Sequence, residues 1–119
     1  LRVLGLRAEE YGRSEGREAH DVVVSRALAA LPVVCEYSLP LLQVGGLMIA
    51  MKGPISDQER IQAERALGIL GSDRLEAVGV TPFVGARDRW VYVARKVRST
   101  PEEYPRRTGV PAKRPLGRA

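Results

Sequence analysis

At 119 residues, 45% hydrophobic, 28% charged and with a net charge of +5, the chain is at most one globular domain and too apolar for disorder throughout. Size scaling lets it bury about two-thirds of the surface its unfolded chain exposes. No apolar run approaches the roughly 20 residues of a membrane span, no signal-peptide pattern opens the chain, and the single Cys35 cannot form an internal disulfide, which fits a reducing, cytoplasmic setting.

Five segments read as strands and three as helices. The chain opens at Leu1, already inside the first expected strand, Arg2–Leu6 (RVLGL), and is therefore read as part of something longer. The polar RAEE follows, then the turn-rich GRSEGRE. Asp21–Ser25 (DVVVS) is β-branched and apolar on both faces, as a buried parallel strand should be. Ala29–Gln43 is long enough for a helix, with Pro32 tolerable in its first turn, Pro40 spoiling its last, and Gly45-Gly46 stopping it. Leu47–Met51 (LMIAM) reads as a second buried strand. Ser56-Asp57-Gln58-Glu59 spells a capping box, worth about 1 kcal/mol at the cap. It opens a helix carrying Ile61, Ala63, Ala66, Leu67 and Leu70 and closed by Gly71. Arg74–Phe83 and Arg89–Val97, separated by a short loop containing Gly85, read as an antiparallel pair.

Alternating strands and helices that end in a hairpin imply an α/β fold with a mostly parallel sheet. Ligands of such sheets sit beyond the carboxyl ends of the strands. That edge holds Arg7-Ala8-Glu9, Ser25-Arg26-Ala27 and Lys52-Gly53-Pro54, all polar or charged. Arg26 and Lys52 at adjacent strand ends favour a shared anionic partner, although each also suits a solvated strand end or an ion pair. Glu9 suits either the helix dipole or a bound nucleoside. His20, the only histidine, is expected at the surface, and Cys35 in the core. No cluster has metal-ligand spacing, and no G-x-G-x-x-G follows a strand.

The positive charge is concentrated at one end. Residues 95–119 carry a net +6 and the other 94 residues a net −1. Sixteen of the nineteen basic residues are arginine, the side chain suited to bidentate phosphate contact. The ending YPRRTGVPAKRPL spaces these cations among prolines that hold the backbone extended, which predicts an ordered strap rather than a loose tail.

LRAEE, DVVVSRALAALPVVCEYSLPLL, VGG, AMKGP and YPRRTGVPAKRPL occur here in an order and spacing that resemble the bacterial RsmG (GidB) family, through essentially the whole chain. SRA, KGP and the ending are specific together and weak alone. The resemblance implies the C-terminal half of a class I, Rossmann-like methyltransferase that uses S-adenosylmethionine to methylate guanine N7 of 16S rRNA in the small ribosomal subunit. It implies that Ala8, Glu9 and Arg26 belong to the cofactor site. By the same resemblance Arg7 and Lys52 serve RNA or the active site, and Tyr104, Arg106, Arg107, Lys113 and Arg114 meet RNA phosphate. The chain then divides into a partial methyltransferase domain, residues 1–98, and a basic, proline-rich segment, residues 99–119.

Members of that family also carry two earlier strands, a glycine-rich cofactor loop and a ribose-binding acid, none of which matches this sequence. The first strand is then expected to lack its neighbours and expose a sheet edge, unless another copy supplies a strand in an exchanged or packed homo-oligomer. Tight binding of S-adenosylmethionine by these residues alone is not expected. The alternative from another class is a non-catalytic RNA- or ribosome-binding domain of the same shape; a related methyltransferase acting on another nucleic acid is a third reading.

Overall fold

The computed structural model describes residues 2–27, 29–80 and 89–118. The β-branched run at Val22–Val24 forms the middle of β1 (His20–Arg26), which pairs in parallel with β2 (Leu42–Lys52). β4 (Arg89–Arg95) lies antiparallel to β2 on the other side, and β3 (Glu76–Val80) antiparallel to β4 at the far edge. The sheet order is thus β1-β2-β4-β3. The hairpin strands insert so that the later one sits inside. Among the described residues only the β1–β2 ladder is parallel, which corrects the expectation of a mostly parallel sheet. The loop containing Gly85 lies outside the described residues.

Arg2–Leu6 is not a strand. A strand needs a partner ladder, none is formed there, and Val3 stays 93% exposed. The edges of the described sheet are β1 and β3. The chain then makes one short helix, α1 (Ala8–Gly12).

The second helix is shorter than expected. α2 spans Leu31–Ser38, followed by a single 3₁₀ turn at Leu39–Leu41. Pro40 has no N–H to continue the α-helical pattern, so the turn tightens and the chain leaves it as β2. Gly45 and Gly46 therefore lie within β2 rather than ending a helix. β2 uses the step from Leu42 to Leu47 where β1 uses that from His20 to Val22, so the register shifts here. A Cβ on Gly46 would come within 2.8 Å of the Asp21 carbonyl oxygen, a contact only glycine avoids.

α3 (Asp57–Leu70) matches its sequence pattern closely. The Ser56 hydroxyl accepts from the Glu59 N–H at 3.1 Å. The Glu59 carboxylate does not fold back to the cap but accepts from the Leu31 N–H at 2.8 Å, joining the starts of α3 and α2. Ala63, Ala66, Leu67 and Leu70 recur at helical spacing and face inward, while Ile61 stays 49% exposed, outside the stripe to which the sequence assigned it. They pack with Leu31, Val34, Cys35 and Leu39 over Met48, Ala50, Tyr92 and Ala94 of the sheet. Each fully buried leucine is worth about 1.5–3 kcal/mol relative to exposure. The opposite face of the sheet leaves Val22, Val24, Met51, Val78 and Val80 exposed.

Lys96, just past β4, is fully buried. Its ammonium donates to the carbonyls of Leu39 at 2.9 Å and Leu42 at 2.7 Å and meets the Glu18 carboxylate at 2.8 Å. Those three acceptors match its three protons and tie the 3₁₀ turn to the end of the sheet. Burial lowers the Lys96 pKa from its ordinary range, and Glu18 works against that. At Glu18 the balance reverses: burial raises its pKa, but the Lys96 ammonium and the Thr100 N–H hold it below the ordinary carboxylate value. Glu18 keeps 31% of its side chain in water, so burial costs it less.

A carboxylate with a depressed folded pKa contributes stability above its unfolded pKa and loses it as pH falls through the folded value. Acidification below the ordinary glutamate range is therefore expected to destabilise the chain, with a smaller step in Glu18→Gln, as followed by urea unfolding at several pH values. Lys96→Met, which strands two carbonyls and a carboxylate, is expected to cost about 3 kcal/mol at neutral pH.

Candidate nucleic-acid interface

The basic C-terminal segment is ordered because the body of the protein supplies partners for its backbone. The Thr100 hydroxyl donates to the Leu70 carbonyl at 2.6 Å, closing the end of α3. The Arg17 guanidinium donates to the carbonyls of Tyr104 at 2.6 Å, Thr100 at 2.9 Å and Pro101 at 3.1 Å. Tyr104 and Leu116 pack on the core, and Pro105 lies against Gly12 of α1. A single helical turn, α4 (Val110–Lys113), follows. At Gly117, whose φ is +83°, a Cβ would fall 2.0 Å from the Gln62 carbonyl oxygen, so only glycine brings the strap this close to α3.

Two buried carboxylates fix the middle of the strap. Glu36 on α2 is 0% exposed, and Arg106 meets it with Nη2 at 2.7 Å, Nε at 3.1 Å and the backbone N–H at 2.8 Å. The same Nη2 donates to the Arg114 carbonyl at 2.6 Å, closing the strap on itself. Glu9 on α1, 1% exposed, accepts from the Gly109 N–H at 2.9 Å and lies 3.5 Å from the Arg7 guanidinium. Nearby, burial raises the Tyr37 hydroxyl pKa, Glu9 adds to that, and Arg7 opposes it.

The residues singled out in the sequence therefore fall into two places. Arg7, Ala8 and Glu9 meet the strap that carries Tyr104, Arg106, Arg107, Lys113 and Arg114. Arg106 is engaged internally, with 25% of its side chain exposed, and Tyr104 is half-buried. Arg107, Lys113 and Arg114 are exposed, and Arg7 has 57% of its side chain in solvent. These four, with the exposed Arg118 at the end of the strap, carry the outward charge of this surface.

Arg26 and Lys52 lie at the carboxyl rim of the sheet. There a cleft of about 570 Å³ is lined by Arg26, Ala27, Met51, Lys52, Gly53, Val80, Arg89, Trp90 and Val91. Lys52 is largely covered: its ammonium donates to the Ala29 carbonyl at 3.0 Å and lies 3.6 Å from Glu59. Arg26 and Arg89 are exposed. Of the three residues that the resemblance assigns to one cofactor site, Arg26 lines this cleft, while Ala8 and Glu9 are not among its described lining residues.

His20 is half-buried, with its ring nitrogen 2.9 Å from the Tyr11 hydroxyl, rather than simply at the surface. Cys35 is in the core as expected, and burial pushes its thiol pKa far above the range of a nucleophile. Among the described residues no group of acidic, histidine or cysteine side chains could hold a metal, and no helix is long and apolar enough to cross a membrane. Sequence reasoning missed Glu36, Arg17, Lys96 and Arg89. Glu36 did leave a signal, being the only charged residue between Arg26 and Lys52.

The sequence profile of the family described as rRNA small subunit methyltransferase G (GidB) matches residues 1–83. A protein named ribosomal RNA small subunit methyltransferase G from Pelotomaculum thermopropionicum is 48% identical, over 92% of this chain and 46% of its own length. Its namesake in Deinococcus radiodurans is 48% identical over 92% of this chain and 44% of its own, and that in Syntrophomonas wolfei 46% identical over 96% and 53%. The chain thus spans about half the length of the curated relatives it matches. With a profile match over most of its residues, this chain belongs to the rRNA small subunit methyltransferase G family.

Proposed function

We propose that the chain is the part of an S-adenosylmethionine-dependent rRNA methyltransferase that carries an RNA-facing strap and the carboxyl rim of the catalytic sheet. The observation that carries this reading is the strap. Its backbone is anchored by buried partners, while Arg107, Lys113 and Arg114, with Arg7 beside them, point their charge into solvent. A disordered basic tail would lose conformational entropy on every encounter; an anchored one presents phosphate contacts already ordered. A ribosomal substrate also agrees with a cytoplasmic setting.

In its finer form the reading makes guanine N7 of 16S rRNA the acceptor. That nitrogen carries a free lone pair, so methylation needs no proton removed. Alignment and electrostatics do the work, in keeping with a cleft whose described lining offers cations and no general base. The exposed Arg26 and Arg89 at the rim suit the phosphates of a nucleotide brought to the cleft.

The described lining of the cleft does not by itself fit S-adenosylmethionine: among the described residues it offers three cations and no carboxylate to accept from ribose hydroxyls or balance a sulfonium. Glu9 turns its carboxylate to the strap, so only the main chain of the Ala8–Glu9 turn is left to contact an adenosyl group. This favours, for these 119 residues alone, the second reading: RNA binding without methyl transfer. Titration calorimetry of the chain with S-adenosylmethionine is expected to show no tight binding, and a micromolar or tighter site would contradict that.

The cations are expected to separate by role. Arg107→Ala with Lys113→Ala should weaken binding to a 16S rRNA fragment and flatten its salt slope by about 1.4 to 1.8, with unfolding unchanged. An unchanged slope would remove the strap from the interface. Arg106→Ala instead strands the buried Glu36 and should cost about 3 kcal/mol in urea unfolding.

A further inference from the structure

Glu9 and Glu36 are the two glutamates that the fold buries almost completely, and both are spent on the strap. α1 has five residues, too few to persist on its own helical propensity. It meets the strap near both ends. Glu9 accepts from the Gly109 N–H at 2.9 Å, and Gly12 leaves room for Pro105, whose Cγ would lie 3.2 Å from a Cβ there. If the strap lifted, Glu9 would keep, among the described residues, the Arg7 guanidinium at 3.5 Å, a poor exchange for its bond to the strap backbone.

We propose that Glu9 and Glu36 are positioning residues that make α1 and the strap one mechanical unit. Glu36 sets where the strap lies, through Arg106. Glu9 transmits that placement to the Ala8–Glu9 turn. RNA held by the strap cations and the order of α1 are then thermodynamically linked, each favouring the arrangement the other needs. This rests on the RNA-facing reading of the strap. It goes beyond it by assigning the two carboxylates a role in which neither touches RNA.

Amide hydrogen exchange of the 119-residue chain, followed by NMR, tests the linkage in two ways. Arg106→Gln should speed exchange in the strap, residues 104–114, by at least fivefold, and in α1 by a similar factor, although Arg106's hydrogen bonds among the described residues go to Glu36 and Arg114 and not to α1. Arg106→Lys, which keeps the charge and loses the fork, should show the same paired change more weakly and serves if the first variant unfolds. Faster exchange in the strap with α1 unchanged, or no change in the strap, would overturn the proposal.

In the second arm, a single-stranded RNA oligonucleotide at low salt should slow exchange in both segments of the wild-type chain. In Glu9→Ala it should protect the strap while protection of α1 drops several-fold. Protection confined to the strap in the wild type, or undiminished at α1 in Glu9→Ala, overturns the linkage. RNA that protects neither segment overturns the RNA-facing reading, and the Arg106 variants still decide whether strap and α1 move together.

Discussion

A carboxylate with no exposure to water must be both neutralised and hydrogen-bonded, and Glu36 in the middle of α2 imposes that demand on the whole C-terminal segment. Arg106 meets it from 70 residues further along the chain, with two guanidinium nitrogens and its own backbone N–H. A lysine could not supply that planar fork. Once Arg106 is placed, its remaining reach to the Arg114 carbonyl closes the strap, and Gly109 arrives within reach of Glu9. The prolines at 101, 105, 111 and 115 reduce the number of unfolded conformations lost on ordering. The strap's course thus follows from one buried charge and a backbone with little freedom to oppose it.

The same requirement divides the basic residues. Lys96, Arg106 and Arg17 are spent on carbonyls and carboxylates inside the molecule, and Arg98 pairs with Asp73. The net +6 of the last 25 residues therefore overstates the charge this segment offers to a partner. What is presented is a smaller and better ordered set: Arg107, Lys113, Arg114 and Arg118 with Arg7 beside them, and Arg26 with Arg89 at the rim of the sheet. For a phosphate backbone, an ordered handful of cations serves specificity better than a larger flexible excess, since less entropy is lost on contact.

Much of the fold was legible where one local signal acted without rivals. The Ser56 cap and the Ala63–Leu70 spacing located α3, and the β-branched run located β1. Legibility failed where a distant partner decided the outcome. Arg2–Leu6 has strand composition and no strand beside it. Gly45 and Gly46 look like a helix stop, yet serve a register shift against β1 that the sequence of β2 does not reveal. Lys96 reads as the charged end of a strand, and its burial depends on carbonyls more than 50 residues earlier. In the candidate site, the strap and its order could be read from proline spacing. The division of Arg106 from Arg107 could not, because only the position of Glu36 in the folded molecule separates two adjacent arginines.

The claim on which the account turns is that RNA runs along the outer side of an anchored strap. Ultraviolet cross-linking of the chain to a 16S rRNA fragment, with the attached peptides identified by mass spectrometry, addresses it directly. Cross-links should concentrate at Arg7 and within residues 107–114, with fewer at the rim around Arg26 and Arg89. Cross-links lying instead on the exposed sheet face around Val22, Val24 and Val78, with the strap unmarked, would contradict it.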